Sequence, residues 1–324
     1  MRILHLATYF PRPGNPLLGT WALEQAQALK RQPGCEVEVI SLTPWFPRLP
    51  GAQKGYRAYS ECPSEHRWGD LRVHYPRWMC YPMAPMHQTF HRNPAIWMHF
   101  AWLFCGKGIL NRARTFAPDL IFAHHTCVNG WVALQLSRAL GVPFVCQDHD
   151  YGEIADCERY PRRRRLFEQA AGEASSMFVV SRKMAADLGR IVPYAKIDIL
   201  YNGANSTLAA TDLIPAGQRS RTVFGAGMLV ERKGFEIVIR AWAEVARRFP
   251  EARLRIAGDG PEHERLLALR DSLGLSSSIT FLGYTNHEQV MAEMAQSRVF
   301  ALASWSEPFA VVYMEALAAG CPIV

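Results

Sequence analysis

The chain has no unbroken apolar stretch long enough to cross a bilayer, and none lies near its start. A membrane-spanning helix needs about 20 apolar residues in a row. Polar and charged residues from His91 to Arg112 interrupt the most aromatic segment, residues 78–110. This segment predicts a core helix or, alternatively, an amphipathic helix whose aromatic face receives an apolar acceptor or rests on the bilayer interface. The first residues form a short β-like run, which argues against a signal peptide.

Cysteine is present without the spacings that give it a structural or metal-binding role. The eight cysteines include no C-x-x-C pair and no compact metal-binding pattern. In a chain of 324 residues such spacing favours reduced thiols. We therefore expect a cytoplasmic protein without a metal site.

Two common phosphate-binding motifs are also absent. Residues 14–20 follow the first strand at the spacing of a Walker A loop, but Gly19 directly precedes Thr20 and no lysine is present, so the β and γ phosphates lose their main charge partner. Residues 225–230 do not complete the G-x-G-x-x-G dinucleotide fingerprint. These absences weaken the kinase and dehydrogenase interpretations. What remains at Gly19 is either an ordinary tight turn or a turn that brings backbone N–H groups close to a phosphate.

The formal net charge of +7 is unevenly spread, because residues 162–165 form a run of four arginines. Such a run is most often a solvated helix face. The functional alternative is a contact with an anionic membrane surface or a polyanionic substrate. No aromatic residues interleave with the run as they do on nucleic-acid-binding folds, so we expect no nucleic-acid partner.

Short apolar runs alternate with amphipathic stretches along most of the chain, which is the βαβ rhythm of parallel sheets covered on both faces. A polar stretch, residues 205–221, interrupts this rhythm, which restarts at Thr222. The sequence thus predicts an α/β protein with two domains, 1–210 and 211–324. The chain ends inside a new strand, 322–324, so we expect a C-terminally truncated, incomplete second domain. The predicted strands are 3–7, 36–41, 120–123, 144–147, 176–180, 197–200, 222–225, 253–257, 279–282 and 299–303, and the predicted helices include 21–30, 131–140, 234–248, 261–272, 287–296 and 308–319.

Two carboxylates, Glu307 and Glu315, stand eight residues apart in the last predicted helix. Pro308 suits the first helical position, Ser306 or Glu307 suits the cap, and Gly320 marks the stop. At about 1.5 Å per residue the two carboxylates lie roughly 12 Å apart along the axis and about 80° apart around it. They either hold both ends of one extended ligand or are solvated acids at the ends of an ordinary helix.

Turns that contain both glycines and charged residues follow two other strands of the second domain. Arg232 and Lys233 lie just ahead of a predicted helix, where they suit a diphosphate, and Gly258 opens a similar turn after the next strand. Open parallel sheets bind ligands at the carboxyl ends of their strands. Together with the Glu307 junction, the turns predict a ligand site at this edge of the second domain.

These motifs together resemble glycosyltransferase family 4, the group 1 retaining glycosyltransferases of GT-B fold. In the second domain the resemblance rests on residues 227–234, 257–261, 281–283 and 306–324. In the first domain, short matches fall in the order that the family shows. They are residues 1–4, 19–20, 119–121, 124, 141–143, 149, 179–181 and 202–203. The resemblance covers the whole chain and implies two Rossmann-like domains whose parallel sheets face each other across a cleft.

The resemblance also implies a ligand and its contacts: a UDP- or GDP-linked sugar, held mainly by the second domain, with no metal and no other cofactor. Glu307 would contact hydroxyls of the donor sugar, Glu315 the ribose and Lys233 the diphosphate. Gly19 would let the backbone approach the diphosphate, and His149 would face the reacting sugar and the acceptor. The other implied donor contacts are Gly227, Arg232, Gly258, Pro308 and Phe309, and His124 is implied on the acceptor side.

The second domain departs from the family pattern in its diphosphate loop. Met228 stands where many members have an arginine that pairs with Lys233, so only Lys233 keeps its position. Whether Arg232 substitutes for that arginine stays open.

The first domain also departs from the family pattern. Phe122 stands where a histidine is common in the family, so His124 is the only candidate histidine at that strand end. A lone histidine after a strand is often structural, so this reading stays open for His124 and His149. Asp148 and Asp150 flank His149, and if they point inward they would raise its pKa or fix its tautomer.

The implied function is transfer of a hexosyl unit, with retention, from a nucleotide-diphosphate sugar to a glycan or lipid-linked acceptor. Cell-surface polysaccharide or glycolipid synthesis is the expected setting, and a lipid-linked acceptor would bring peripheral contact with the inner face of the membrane. The alternatives are a nucleotide-sugar-binding GT-B protein without transferase activity and a GT-B epimerase. A phosphorylase would also need a pyridoxal site, which the sequence does not show.

Overall fold

A computed structural model describes residues 1–16, 18–48, 54–78, 89–90, 92–203 and 214–324. The chain divides into two compact units, Met1–Asn202 and Gly203–Val324. The predicted domain boundary between residues 210 and 211 lies outside the described residues, as do residues 79–88 and 91 of the aromatic segment.

The first unit is built on an eight-stranded, mainly parallel sheet. Its strands, with a separate two-stranded pair, are β1 (Arg2–Ala7), β2 (Glu36–Ile40), β3 (Thr43–Pro44), β4 (Glu65–Trp68), β5 (Leu71–His74), β6 (Arg77–Trp78), β7 (Leu120–His124), β8 (Phe144–Asp148), β9 (Ser176–Val179) and β10 (Ile197–Ile199). The spatial order is β10-β9-β8-β7-β1-β2-β5-β4, and β3 pairs with β6. Only β4 runs antiparallel to its neighbour in the eight-stranded sheet.

Helices connect these strands, as parallel pairing requires. They are α1 (Thr20–Lys30), α2 (Lys54–Ser60), α3 (Pro94–Phe116), α4 (Trp131–Leu140), α5 (Gly152–Arg159), α6 (Pro161–Glu173) and α7 (Arg182–Ile191). The central strands are almost entirely buried because helices cover the sheet, which explains their near-continuous apolar runs. Within the described residues, no helix is both long enough and apolar enough to cross a membrane.

The second unit repeats the same construction on a smaller scale. It contains β11 (Ser220–Ala226), β12 (Arg253–Ala257), β13 (Ile279–Gly283) and β14 (Ser297–Phe300), with α8 (Phe235–Arg248), α9 (His263–Ser272), α10 (His287–Gln296) and α11 (Val311–Ala318). The four strands are parallel in the order β13-β12-β11-β14. Buried Phe235, Ile239 and Trp242 form the core face of α8, at the spacing of one helical stripe.

The predicted α/β organisation is confirmed, with a strand or helix at each predicted place. Three predicted elements, residues 131–140, 253–257 and 287–296, have the observed bounds. The two parallel sheets confirm the expectation of Rossmann-like units. Phe300 and Ile323 form a parallel bridge, so the last residues lie beside β14.

The predicted start of the last helix is wrong. Its first helical residue is Val311, after an Ala310 cap with no side-chain hydrogen bond, so neither Ser306 nor Glu307 caps it and Pro308 precedes it. The reason lies partly in a tertiary contact: the Glu307 carboxylate accepts a hydrogen bond from the Ser304 hydroxyl and is paired with Lys233 of another loop, so it does not cap the helix terminus. The separation of roughly 12 Å assumed one continuous helix from residue 308 onward and therefore loses its basis.

The arginine run is only partly the solvated helix face that is usual for such runs. Arg162 and Arg165 are exposed, and Arg164 pairs with Glu168. Arg163 is buried, and its guanidinium is paired with the carboxylate of Glu153 at 2.6 Å. One member of the run therefore holds α5 to α6 inside the first unit.

Candidate functional site

In the second unit, the Glu307 carboxylate collects three donors from two loops. Its Oε1 lies 2.6 Å from Lys233 Nζ and 3.1 Å from Arg232 Nη1, and it accepts a hydrogen bond from Ser304 Oγ at 2.9 Å. The side chains of Lys233 and Glu307 are 13% and 16% exposed, whereas that of Arg232 is 49% exposed. Two of the three charged groups are thus held in a partly desolvated place at the carboxyl end of the sheet.

The backbone that carries Lys233 is fixed by a glycine. Gly234 has φ +67° and precedes the first residue of α8, and a Cβ at this position would lie 2.1 Å from the carbonyl oxygen of Ala303. The Trp305 amide also donates to the Arg232 carbonyl, at 3.2 Å. The loop after β11 therefore packs directly on the segment after β14, which brings Lys233 to Glu307.

The two other predicted glycines bring the neighbouring loops together. Gly258 has φ +139°, and a Cβ there would lie 1.9 Å from the Gly227 carbonyl oxygen. A Cβ added at Gly227 would lie 3.8 Å from the side-chain methylenes of Lys233, which is an ordinary contact distance. Gly258 is thus required by packing between the loops after β11 and β12, and Gly227 lies against the Lys233 side chain.

Glu315 has a different partner from Glu307. His287, the first residue of α10, places Nε2 3.0 Å from Glu315 Oε1, and the Glu315 side chain is 15% exposed. Pro308 and Phe309 lie half-buried in the segment before α11. The structure therefore brings Arg232, Lys233 and Glu307 together and gives Glu315 a separate contact with His287.

In the first unit, Gly19 is fixed by the turn between β1 and α1. It caps α1 in the left-handed region, with φ +66°, and a Cβ would lie 2.2 Å from the Tyr9 carbonyl oxygen. The turn thus requires glycine for its own packing, whether or not a phosphate also binds there.

The predicted histidines belong to a chain of three hydrogen-bonded imidazoles. His124 Nδ1 lies 2.8 Å from His149 Nε2, and His124 Nε2 lies 2.9 Å from His5 Nε2. His5 and His124 are completely buried on the adjacent strands β1 and β7. The Trp21 ring of α1 packs on His149 with centroids 3.9 Å apart. Both ring nitrogens of His124 are therefore hydrogen-bonded, and His124 lies on the buried side of His149.

Burial keeps the three hydrogen-bonded imidazoles neutral. Desolvation lowers the pKa of His5 to about 3, and desolvation together with the neighbouring histidines holds the pKa values of His124 and His149 well below 6.5. A neutral imidazole has one N–H and one acceptor nitrogen. Because His124 can donate only once, both bonds of the chain run in the same direction. The tautomer of His149 is therefore coupled to that of His5.

The expectation that the flanking acids raise the pKa of His149 is wrong. Asp148 accepts hydrogen bonds from the Thr126 amide and hydroxyl, both at 2.9 Å, and Asp150 accepts from the Gly152 amide at 2.7 Å. Burial and, secondarily, Glu153 raise the pKa of Asp148. Asp148 thus bonds to the segment after β7 and Asp150 to its own loop, and burial lowers the pKa of His149.

Replacing His5 with glutamine is expected to reduce the loss of stability at acidic pH. The pKa of His5 is lowered in the folded state, so between about pH 3 and 6.5 the unfolded state binds more protons, and stability present above that window is lost as the pH falls. One such group loses about 1.4 kcal/mol at one pH unit below its unfolded pKa. The difference in unfolding free energy between pH 7.5 and 5.5, from urea denaturation, should shrink by about this amount.

Leu4→Ala provides the matched control, because Leu4 is also completely buried in β1. We expect this variant to be less stable at both pH values by the same amount. Asp148 opposes the histidines, since its raised pKa adds stability as the pH falls, but it is present in every variant. If the unfolding free energy of His5→Gln depends on pH as that of the wild type does, His5 does not contribute to the loss of stability at acidic pH.

The first unit also contains a cavity of about 250 Å³. Its lining includes Tyr9, His125, Asn129, Arg12 and Trp78. Arg12 is buried, and its Nη2 donates to the Thr8 carbonyl at 2.8 Å. The cavity combines aromatic surface with hydrogen-bonding groups, the combination that suits a polar ring-shaped ligand.

Three contributors were missed by the sequence reasoning. His5 could have been noticed because it is a histidine inside a largely apolar strand. Trp21 could have been noticed because it lies in the first turn of α1. Nothing in the spacing of the sequence pairs His287 with Glu315. Within the described ranges, no group of three or more His, Cys, Asp or Glu side chains is arranged to hold a metal ion.

Comparison with known families matches both units. The profile described as Glycosyltransferase Family 4 matches residues 18–208, and that described as Glycosyl transferases group 1 matches residues 214–324. The first match alone covers more than half of the chain. The chain belongs to glycosyltransferase family 4.

Two of the curated relatives of this family 4 chain have names that specify inositol-containing acceptors. The D-inositol 3-phosphate glycosyltransferase of Corynebacterium jeikeium is 26% identical over 250 residues, which are 66% of this chain and 57% of the relative. The GDP-mannose-dependent alpha-(1-6)-phosphatidylinositol monomannoside mannosyltransferase of Mycolicibacterium smegmatis is 30% identical over 194 residues, which are 54% of this chain and 50% of the relative. The chain spans about half the length of these curated relatives.

Solved structures share the fold over the whole chain. Sucrose-phosphate synthase from Thermosynechococcus elongatus has a TM-score of 0.71 at 19% identity, covering 100% of this chain and 80% of that one. HepE from Anabaena, in complex with UDP and glucose, has a TM-score of 0.62 at 21% identity, with the same coverage. These likenesses confirm the GT-B fold class. The predicted cleft concerns the arrangement of the two units and stays a prediction.

Proposed function

We propose that this family 4 protein is a retaining, metal-independent hexosyltransferase that takes its sugar from a UDP- or GDP-linked donor. The observation that carries the proposal is the contact of Lys233 and Arg232 with Glu307, where the loops after β11 and β14 meet. In such a pair the cation can bind the diphosphate of the donor, and the carboxylate can accept hydrogen bonds from the sugar hydroxyls. The complex of HepE with UDP and glucose supports such a ligand on this fold.

The proposed roles follow the charges. Lys233, with Arg232 beside it, neutralises the diphosphate as it leaves, in place of a metal ion. Glu307 accepts hydrogen bonds from the donor sugar, and Glu315, steadied by His287, accepts them from the ribose. The remaining donor contacts come from the half-buried Pro308 and Phe309 and from the backbone at Gly19, Gly227 and Gly258.

His149 is proposed to face the reacting sugar and the acceptor, as a neutral imidazole whose tautomer is coupled to those of His124 and His5. His124 bonds to it from the buried side, so its acceptor-side role is to position His149. The cavity lined by Tyr9, His125 and Asn129 is the proposed place for an acceptor sugar or polyol. Retention at the anomeric carbon would then follow from attack on the face that the diphosphate leaves.

The proposed acceptor is a glycan or a lipid-linked sugar at the cytoplasmic face of a membrane, in surface polysaccharide or glycolipid synthesis. Support comes from the names of the two relatives above, whose acceptors are D-inositol 3-phosphate and, in the second, a phosphatidylinositol monomannoside. The donor in the second of these names is GDP-mannose.

A panel of UDP- and GDP-linked sugars tests the proposal. We expect one nucleotide to raise the melting temperature and bind saturably by calorimetry, and the matching sugar to be transferred to an inositol- or glycan-type acceptor. Nuclear magnetic resonance of the product should show the anomeric configuration of the donor, and a chelator should leave the rate unchanged.

The same panel distinguishes the alternatives. Saturable donor binding without turnover on any acceptor would favour a nucleotide-sugar-binding protein that lacks transferase activity. Conversion of the donor sugar with no acceptor present would favour an epimerase. Absence of binding by every nucleotide sugar would contradict the proposal as a whole.

A further inference from the structure

The helix α3, Pro94–Phe116, is apolar on two opposite faces. Met98, Ala101, Ile109 and Ala113 are buried in the first unit. On the other side, Ile96, Leu103 and Phe104 are 64%, 81% and 64% exposed, and Phe100 is 41% exposed. A helix that is hydrophobic all round normally has both faces covered, and clustered large apolar side chains on a surface mark an interaction site.

The exposed apolar residues form one stripe with two cations. At about 100° per residue, Ile96, Phe100, Leu103, Phe104, Lys107 and Arg114 fall within an arc of about 100° around the helix. The apolar members occupy its N-terminal half, where the Phe100 and Phe104 rings touch with centroids 4.8 Å apart. The exposed Lys107 and Arg114 occupy the C-terminal half. We call this set the α3 stripe.

The charge around the stripe indicates what covers it. The 23 residues of α3 contain no aspartate or glutamate. The neighbouring helix α6, which packs against α3, also carries exposed arginines, Arg162 and Arg165. A second copy of the chain would bring the same cations and no acid on this helix to neutralise them. An anionic lipid surface offers both an apolar layer and phosphate charges.

We propose that the α3 stripe is a docking surface for an anionic lipid bilayer. The helix lies in the plane of the interface, with Phe100, Leu103 and Phe104 inserted among the acyl chains and Lys107 and Arg114 on lipid phosphates. The inference deepens the membrane contact of the proposed function by assigning it to specific side chains. It does not depend on donor or acceptor chemistry, so it can fail while the transferase proposal stands.

Flotation with lipid vesicles, without any sugar nucleotide, tests the proposal on the whole chain. The wild-type protein should float with vesicles of phosphatidylcholine mixed with phosphatidylglycerol, and binding should weaken in high salt. The double variant Leu103→Ser/Phe104→Ser should bind at least about tenfold more weakly. Lys107→Ala/Arg114→Ala should lose about tenfold on anionic vesicles and most of the salt dependence.

Phe249→Ser is the matched control, because Phe249 is 54% exposed and lies in the second unit. It should float like the wild type, and circular dichroism should show every variant folded. Wild-type protein that stays with the unbound fraction, or stripe variants that float normally, would overturn the proposal. A stripe variant that dissociates a dimer in sedimentation velocity, with no vesicle binding by the wild type, would instead identify a self-association surface.

Discussion

Lys233→Met is expected to weaken the binding of the nucleoside diphosphate by about 10- to 100-fold, the range for one lost charge-assisted contact. Lys233 is 13% exposed, so its ammonium group acts in a partly desolvated place where its charge is weakly screened. Methionine keeps most of the side-chain volume beside Gly227 and removes the charge together with the N–H donors. Isothermal titration calorimetry with UDP and GDP measures the effect.

Arg232→Met is the matched comparison, since Arg232 contacts the same carboxylate but is 49% exposed. We expect a loss of less than about tenfold, because solvent screens an exposed charge. Binding of the unphosphorylated nucleoside should be the same in both variants and the wild type. Equal losses for nucleoside and diphosphate would contradict the assignment of Lys233 to the phosphates.

Glu307→Gln separates the two halves of the donor. The carboxylate competes for Lys233, so its neutralisation should leave the diphosphate bound at least as tightly as in the wild type. The sugar-bearing donor should bind about tenfold more weakly, because an amide accepts fewer hydrogen bonds from hydroxyls. A variant that loses both ligands equally would place Glu307 in the structure of the loop and not on the sugar.

Gly234→Ala is expected to destabilise the second unit by about 2 to 5 kcal/mol. The left-handed backbone costs about 1 to 2 kcal/mol for an L residue, and the new Cβ would lie 2.1 Å from the Ala303 carbonyl oxygen, which adds an overpacking cost of about 1 to 3 kcal/mol. Chemical denaturation gives the free energy. Hydrogen exchange at the amides of β11 and β12 assigns it to the second unit.

Gly274 provides the control for the backbone alone. It has the same φ of +67°, but no atom lies within 4 Å of the Cβ that alanine would add. Gly274→Ala should therefore cost only the left-handed term, about 1 to 2 kcal/mol. If the two variants are equally destabilised, the contact between the loop of Gly234 and Ala303 contributes nothing to stability.

Much of the fold could be predicted from the sequence because it depends on local periodicity. Alternating apolar runs and amphipathic stretches located the elements, and residues 131–140 and 253–257 have their predicted bounds. The last helix was misplaced because the Pro308 signal is local, whereas the Glu307 side chain is held by Lys233 from another loop. The carboxylate that looked available for a cap was already bonded elsewhere.

The sequence by itself determined the α/β class and the family, since short motifs such as residues 227–234 and 306–315 carry both. Only the tertiary structure decided which of these side chains meet. It joined Lys233 to Glu307, gave Glu315 to His287, and placed His124 between His5 and His149. It also showed that burial keeps those histidines neutral and that the apolar side chains of the α3 stripe are exposed. The physical reason is that desolvation and partner choice depend on strand order and loop packing, which join residues far apart in the chain.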